Sequence, residues 1–283
     1  METFLFWLKS MILGIVEGIT EFLPVSSTGH LIIFENLLRF SGDEGYVEMY
    51  SYVIQLGAIL AVIILFREKI WETIIHLFPT KNNEVTYENS GFRFWLMIVI
   101  ACIPGTIAEF TVGDAIETYL FNPYSVAGAL VLGAVLLIML EQKYSKKNGK
   151  KLNLIVTVKQ ALIVGCFQCL AVIPGMSRSA STIMGGWVAG LSTVSAAEFS
   201  FFLAIPVMFG MSFLKLVSYG GFGAMTGAEL GALIVGFVVS FLVALVVVKS
   251  FITYLKKKPM KVFAYYRVIF AVVVVIAGIA GLF

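Results

Sequence analysis

Two short polar stretches carry the residue types that could do chemistry in this sequence. They read Glu17-Gly-Ile-Thr-Glu21-Phe-Leu-Pro-Val-Ser-Ser-Thr-Gly-His30 and Pro174-Gly-Met-Ser-Arg-Ser-Ala-Ser-Thr182. The first supplies two carboxylates, several hydroxyls and a histidine, and the second supplies an isolated arginine among serines. Ionisable groups at membrane depth cost roughly 2.5–3.5 kcal/mol each on insertion scales, so in an apolar chain they indicate a functional site.

The two glutamates of the first stretch predict a cation site or an acid–base pair. Glu17 and Glu21 are four residues apart, so on a helix they share one face. Two carboxylates placed in this way repel and need a cation between them, an arginine opposite, or a shared proton. Hard divalent cations such as Mg²⁺ or Ca²⁺ prefer oxygen ligands, including substrate phosphate. Gly14 and Gly18 flank Glu17 in a G-x-x-x-G pattern, which predicts close approach of another helix.

The segment after Pro24 is predicted to be a turn that binds an anion. Proline ends the preceding helix, and the hydroxyl-rich residues that follow are expected to begin a returning helix, whose N-terminus favours anions. Ser27 is a candidate nucleophile, and His30 is either a structural residue or a proton donor and acceptor. The remaining expected phosphate contacts in this turn are Ser26, Thr28 and Gly29.

The second stretch repeats this arrangement with an arginine. Pro174 stops a short helix, and hydroxyl and N–H groups follow it. Arginine binds phosphate in a bidentate, permanently charged way that lysine does not. The anionic partner of Arg178 is therefore either a glutamate of the first stretch or a substrate phosphate, and the neighbouring hydroxyls favour the phosphate. Further phosphate contacts are expected from Gly175, Ser177, Ser179 and Thr182.

The composition predicts an all-α polytopic membrane protein that forms a single domain over residues 1–283. Hydrophobic residues make up 59% of the chain and charged residues 13%, and the mean hydropathy is +0.95. Soluble domains have about a quarter charged residues. No nucleotide-binding glycine signature or zinc motif is present. Nucleic acid is not an expected partner, because the basic residues lie in short loops without a basic, aromatic binding stretch.

Six apolar segments are long enough to be transmembrane helices. They are Met49–Phe66, Phe94–Phe110, Tyr124–Leu140, Phe199–Val217, Leu230–Val248 and Val268–Phe283. Two others, Phe4–Val16 and Ala161–Ile173, have only 13 residues each. Segments 67–93, 141–159 and 249–267 contain four, six and six of the chain's 20 lysines and arginines. The positive-inside rule therefore places these three segments in the cytoplasm.

This topology requires residues 4–34 and 160–198 each to enter and leave the membrane on one face. Both are therefore predicted to be re-entrant helical hairpins, entering from opposite faces, with the N-terminus outside. The two halves, about 1–145 and 155–283, then form an inverted-topology repeat. Pro24 and Pro174, Ser27 and Ser177, and Glu48 and Glu198 are each separated by 150 positions.

The two polar stretches resemble the signature motifs of the undecaprenyl-diphosphatase family, the bacitracin-resistance proteins of bacteria. The resemblance covers the whole chain, including Gln55-Leu-Gly-Ala-Ile-Leu and Ala197-Glu-Phe-Ser-Phe-Phe-Leu-Ala-Ile-Pro206. It implies hydrolysis of undecaprenyl diphosphate, which recycles the lipid carrier for peptidoglycan synthesis, with a divalent cation as cofactor. It also implies a bacterial plasma-membrane protein whose site faces outside the cytoplasm. The functional residues carried over by position are Glu17, Glu21, Ser27, His30 and Arg178, with Ser177 and Thr182 near the phosphates.

Two mechanisms and two other functions stay open at this point. Ser27 attacks the terminal phosphorus with help from His30, or a metal-activated water attacks while Ser27 positions the phosphate. A lipid-phosphate flippase or transporter could use the same inverted-repeat site, whereas a channel would not require the clustered polar groups. Membrane lipids are expected partners, and a homodimer is a further possibility. Lipid phosphatases that use Ser-Arg followed by a histidine are excluded, because no histidine follows Arg178.

Overall fold

The computed structural model describes residues 2–79, 86–144 and 156–281, and within these ranges it contains helices and no strands. The α-helices of this part of the chain are α1 (Glu2–Thr20), α2 (Ser27–Leu38), α3 (Tyr46–Leu65), α4 (Arg67–Ile75), α5 (Gly91–Leu120), α6 (Pro123–Tyr144), α7 (Val158–Gln168), α8 (Arg178–Val188), α9 (Thr193–Tyr219), α10 (Gly227–Leu255) and α11 (Lys261–Ile279). Lys81 and the central-loop lysines used for the topology prediction, Lys146, Lys147, Lys150 and Lys151, lie outside the described residues.

Seven helices in the described ranges are long and apolar enough to cross a membrane: α1, α3, α5, α6, α9, α10 and α11. Six of them coincide with the predicted spans: four spans lie wholly within α5, α6, α9 and α10, Met49–Phe66 extends one residue past α3, and Val268–Phe283 begins within α11, which ends at Ile279. The all-α polytopic class is confirmed. The seventh, α1, contains the apolar stretch Phe4–Val16, which has too few residues to span by itself. The helix continues through Glu17, which is completely buried inside the protein, to Thr20.

The predicted close approach at Gly14 and Gly18 is confirmed, and the partner is α10. A Cβ atom on Gly14 would lie 2.6 Å from the carbonyl oxygen of Gly236, and one on Gly18 would lie 2.7 Å from that of Ser240. Larger side chains at either position would push the two backbones apart. The two glycines therefore set the position of α1, which carries Glu17 towards the centre of the protein.

Arg267 was counted with the basic segment 249–267, and the structure corrects this. The connection between α10 and α11 ends at Met260, and Arg267 lies within α11 with no solvent exposure. Its side chain is on the same face as the buried Ala264 and Ala271. It therefore contributes to the interior of the protein and not to a basic loop.

Two ion pairs connect α9 to α3 and to α4, which directly follows α3. They lie at opposite ends of α9. Glu48, in the first turn of α3, pairs with Lys215 near the end of α9. Lys69 of α4, just after α3, is 2.6 Å from Glu198, near the start of α9. Helices α3 and α9 therefore run antiparallel, and each contributes its N-terminal glutamate to one of the pairs.

Two pairs of helices, α1–α2 and α7–α8, meet at their connecting turns. Helices of 11 or 12 residues, such as α2, α7 and α8, are only about 18 Å long at 1.5 Å per residue, short of a hydrocarbon core of about 30 Å. We call residues 21–26 the first turn and residues 173–177 the second turn. The Ser179 hydroxyl donates to the Leu23 carbonyl at 3.0 Å and connects α8 directly to the first turn.

Candidate active site

Each turn ends in a serine that caps the following helix. The Ser26 hydroxyl accepts the N–H of Gly29, and the Ser177 hydroxyl accepts the N–H of Ala180, both at 3.4 Å. The backbone φ angles of the two serines are 73° and 69°. Residues without glycine's freedom pay about 1–3 kcal/mol for such conformations, so contacts around the turns must hold them in place.

The two caps occupy matching places relative to their helices. Ser26 and Ser177 each directly precede a helix, and the second turn has one more residue between its proline and its cap. Ser27 and Arg178 are therefore each the first residue of the helix that follows. Both helices begin where the two turns meet, and their N-terminal N–H groups favour an anion there.

The carboxylate of Glu21 connects Ser27 to Arg178. The Ser27 hydroxyl donates to Glu21 Oε2 at 2.6 Å, and the Arg178 NH2 atom lies 2.5 Å from Glu21 Oε1. The NH2 atom is also 3.2 Å from the sulfur of Met208. Within the described ranges, Arg178 Nε and NH1 have no hydrogen-bond partner, so these donors are available to a ligand. A hydroxyl from α2, a carboxylate from the first turn and a guanidinium from α8 therefore lie in contact.

A cavity of about 350 Å³ lies beside this group and has walls of two kinds. Glu21, Ser27 and Arg178 contribute to the polar wall, together with Gln55 and Gln168. The apolar part is lined by Phe110, Val172, Pro206, Met211 and Leu214, among others. Such a cavity can take a ligand with a charged end and an apolar end.

Seven of the twelve predicted site residues line this cavity: Glu21, Ser26, Ser27, Thr28, Gly175, Ser177 and Arg178. Gly175 has a φ of +95°, and a Cβ there would lie 2.6 Å from the Val126 carbonyl oxygen, so only glycine fits. The cavity wall does not include Glu17, Gly29, His30, Ser179 or Thr182. Thr182 bonds to Ser200 at 2.6 Å, and Gly29 and Ser179 make the bonds already described.

Glu17 lies one helical turn before Glu21 and is fully buried. Neither of its carboxylate oxygens has a hydrogen-bond partner in the described part of the chain. Those described residues contain no group of three or more His, Cys, Asp or Glu side chains that could hold a metal ion. Mg²⁺, however, is usually held by one or two carboxylates together with substrate phosphate and water. Glu17 and Glu21 are therefore the candidate ligands for a cation that is shared with the substrate.

His30 is held by α11 and the first turn. Its Nδ1 is 2.7 Å from the Ser26 carbonyl, so this nitrogen donates, and in the neutral ring Nε2 accepts from the Tyr266 hydroxyl at 2.6 Å. The ring stacks on Phe270 with centroids 3.7 Å apart. Both ring nitrogens therefore have other hydrogen-bond partners, and the Ser27 hydroxyl is bonded to Glu21 instead.

Sequence reasoning missed the two α11 residues that support the turns, Tyr266 and Arg267. Tyr266 bonds to His30, and Arg267 bonds to carbonyls of both turns. The signal for Arg267 was helical spacing, because it lies three residues after Ala264 and four before Ala271, both buried. Tyr266 had no comparable signal, because the neighbouring Tyr265 offers the same side chain.

Together these features define a polytopic α-helical membrane protein with a serine, glutamate and arginine site inside the helix bundle. The family described as "Bacitracin resistance protein BacA" matches residues 10–273, and the chain belongs to that family. It is 61% identical to a protein of Ruminiclostridium cellulolyticum named "Undecaprenyl-diphosphatase", over 100% of both chains. It is 52% identical to a Clostridium tetani protein of the same name, over 96% of each. An "Undecaprenyl-diphosphatase 2" of Clostridioides difficile is 46% identical, over 98% of this chain and 97% of that one.

Proposed function

We propose that this protein hydrolyses undecaprenyl diphosphate to undecaprenyl phosphate and inorganic phosphate. The observation that carries the proposal is the contact of Ser27, Glu21 and Arg178 at the polar wall of a cavity whose other walls are apolar. A lipid diphosphate has the matching chemistry, with a dianionic end group and an apolar chain. The names of the relatives refer to the same substrate.

Arg178 and the two helix N-termini bind the diphosphate. The Nε and NH1 groups of Arg178 are open to phosphate oxygens, and a guanidinium can hold two of them at once. The N-terminal N–H groups of α2 and α8 add to the positive potential. Among the predicted phosphate contacts, those on the cavity wall (Ser26, Thr28, Gly175 and Ser177) serve this role best.

Ser27 attacks the terminal phosphorus, and Glu21 takes its proton. The Ser27 Oγ–phosphorus bond forms as the bond from that phosphorus to the bridging oxygen breaks, and undecaprenyl phosphate leaves with the bonding electrons. Water then hydrolyses the phosphoserine, giving inorganic phosphate and restoring the Ser27 hydroxyl. Glu21 replaces His30 in this scheme, because the serine hydroxyl already donates to Glu21. In the alternative scheme water attacks directly and Ser27 positions the phosphate.

Glu17 and Glu21 would hold a divalent cation, Mg²⁺ or Ca²⁺, next to the substrate. When bound, the cation neutralises charge on the phosphate oxygens. Its charge would also offset the cost of burying Glu17, because a fully buried carboxylate without hydrogen bonds requires a compensating charge or a proton.

We place the site on the outer side of the bacterial plasma membrane. A second cavity of about 410 Å³ shares Tyr52, Glu109, Phe110, Met211 and Leu214 with the first and continues to Glu48 and Lys215. This end of α3 and α9 is opposite Arg67, Lys69 and the basic residues after α10. By the positive-inside rule the basic end is cytoplasmic, and the cavity then opens outward.

The inverted repeat remains a proposal, supported by the two ion pairs. Glu48 and Glu198 are equivalent in the repeat, and each pairs with a lysine of the other half, at opposite ends of the bundle. A repeat of this kind also suits a lipid flippase, which is the second candidate function. Two re-entrant hairpins meeting at their turns are compatible with either function.

Phosphate release by the purified protein in detergent micelles separates the two functions. A phosphatase turns over undecaprenyl diphosphate without two compartments, whereas a flippase consumes none. We expect sustained release that Arg178→Ala abolishes. Absence of release by folded wild-type protein, together with lipid transfer in vesicles, would establish the flippase instead.

A further inference from the structure

Arg267 has an unusual environment for a charged residue. It lies in the middle of α11, has no solvent exposure, and has no acidic partner among the described residues. Its guanidinium is instead satisfied by main-chain carbonyls. Its Nε donates to the carbonyl of Leu130 at 3.2 Å. Its NH2 group donates to the carbonyls of Ala129 and Gly175 at 3.3 and 3.0 Å. Its NH1 group donates to the carbonyls of Met176 and Pro24 at 3.0 and 3.5 Å.

These five bonds connect three separate segments of the chain. Pro24 belongs to the first turn, Gly175 and Met176 belong to the second, and the other two carbonyls belong to α6. One side chain therefore bonds to both of the turns that directly precede Ser27 and Arg178. A planar guanidinium has five N–H groups in a fixed fork, which lysine cannot reproduce.

The bonds also reach the strained caps. Met176 directly precedes the cap Ser177, and Pro24 is two residues before the cap Ser26, both of which have positive φ. Because a peptide unit is planar and trans, fixing the Met176 carbonyl towards Arg267 turns the Ser177 N–H to the opposite side. Arg267 thus helps to orient a backbone donor of the second turn.

We propose that Arg267 is a positioning residue for the reaction, fixing the first turn relative to the second and thereby aligning Ser27 with the phosphate held by Arg178. This inference rests on the proposed phosphatase function. Each turn keeps its own cap without Arg267, so the substrate still binds. The alignment between the turns is needed in the transition state, so its loss lowers kcat more than it raises KM.

Gly133 of α6 offers a way to displace the guanidinium without removing it. A Cβ at this position would lie 2.1 Å from Arg267 NH2, so Gly133→Ala forces the end of a flexible side chain to move. Gly128, on the same helix, has no atom within 4 Å of its would-be Cβ and is the matched control.

The experiment compares Gly133→Ala, Gly128→Ala, Arg267→Met, Arg267→Lys and the double variant Gly133→Ala/Arg267→Met with wild-type protein. Phosphate release gives kcat and KM for undecaprenyl diphosphate, and rates are divided by the folded fraction from thermal melting. Wild-type turnover tests the proposed function separately, because its absence would contradict that function whatever the variants do. If Arg267→Met does not fold, the comparison of kcat between Gly133→Ala and Gly128→Ala tests the inference.

We expect Gly133→Ala and Arg267→Met to lower kcat by about 10- to 100-fold, since small misplacements can cost that much, with KM nearly unchanged. Gly128→Ala should match wild type, Arg267→Lys should lie in between, and the double variant should be no slower than Arg267→Met. The inference is overturned if folded Gly133→Ala and Gly128→Ala have equal kcat, if the two losses multiply in the double variant, or if KM rises as much as kcat falls.

Discussion

The carboxylate of Glu21 lies between Ser27 and Arg178, accepting the serine hydroxyl at 2.6 Å and pairing with the guanidinium at 2.5 Å. Glu21 belongs to the first turn, Ser27 is the first residue of α2, and Arg178 is the first residue of α8. These two contacts join the proposed nucleophile to the proposed phosphate-binding group. In the proposed mechanism the proton of Ser27 passes to Glu21, and His30 has a supporting role.

Replacing Glu21 by glutamine should remove the proton acceptor while keeping the shape of the side chain. General-base catalysis is worth about 10²–10⁴-fold, so we expect Glu21→Gln to lower kcat by that amount. The matched control is Glu35→Gln on α2, because Glu35 bonds to Ser51 and does not line the cavity. Steady-state phosphate release measures both, and equal rates for the two variants would contradict the assignment.

Glu17 should affect the cation and not the proton transfer. Because it is buried and has no hydrogen-bond partner in the described residues, we expect Glu17→Gln to raise the half-saturating cation concentration at least about tenfold. Removal of divalent cations with a chelator should abolish wild-type activity, and added Mg²⁺ or Ca²⁺ should restore it. Calorimetric titration with the cation and a non-hydrolysable diphosphate provides an independent readout. An unchanged cation requirement in Glu17→Gln would remove Glu17 from the cation site.

Tyr266 and His30 should act on stability more than on chemistry. Tyr266→Phe removes the hydroxyl that donates to His30 Nε2 but keeps the stacked ring, and a hydrogen bond of this kind is worth about 0.5–1.5 kcal/mol. We expect a lower melting temperature and less than about a tenfold loss of kcat. His30→Gln tests the alternative in which the histidine takes the serine proton. Normal melting with a kcat as low as that of Glu21→Gln would favour that alternative.

The two ion pairs of the proposed repeat should contribute unequally to stability. The Lys69 and Glu198 side chains are 22% and 11% exposed, whereas those of Lys215 and Glu48 are 28% and 51% exposed. Exposed pairs are worth about 0–1 kcal/mol, while breaking a buried pair costs about 3 kcal/mol. Glu198→Gln should therefore lower the free energy of unfolding more than Glu48→Gln. Thermal and denaturant unfolding in detergent measure the difference, and the reverse order would contradict it.

Much of the fold could be predicted because membrane helices obey strong composition rules. Four of the six predicted spans lie wholly within helices and the other two begin within α3 and α11, and the glycines at 14 and 18 correctly indicated a close helix contact. The lengths of the spans were harder to predict. The apolar stretch Phe4–Val16 has only 13 residues before Glu17, but Glu17 is buried inside the protein, and α1 as a whole is long and apolar enough to cross a membrane. Whether an ionisable residue ends an apolar span depends on its tertiary surroundings, which a single sequence does not show.

The residue types of the candidate site could be predicted from the sequence. Which of these side chains contact one another could not. The sequence analysis placed Ser27, Glu21 and Arg178 in two polar stretches, and the structure brings those stretches together. Proximity in sequence suggested that His30 serves Ser27, yet the helical turn from Ser27 points the imidazole towards α11. The supporting residues Tyr266 and Arg267 are more than 230 positions from the first turn. Such distant contacts follow only from the packing of α11 against α2 and α6.

The rate of phosphate release by Ser27→Ala tests the central claim most directly. Purified Ser27→Ala, Arg178→Ala and wild-type protein are compared in detergent with undecaprenyl diphosphate, after thermal melting has shown that all three are folded. If Ser27 is the nucleophile, Ser27→Ala should lose at least about 10³-fold in kcat, as nucleophile removal does in other enzymes. A Ser27→Ala protein that keeps a substantial share of wild-type turnover, while Arg178→Ala is inactive, would contradict the account and assign the attack to water.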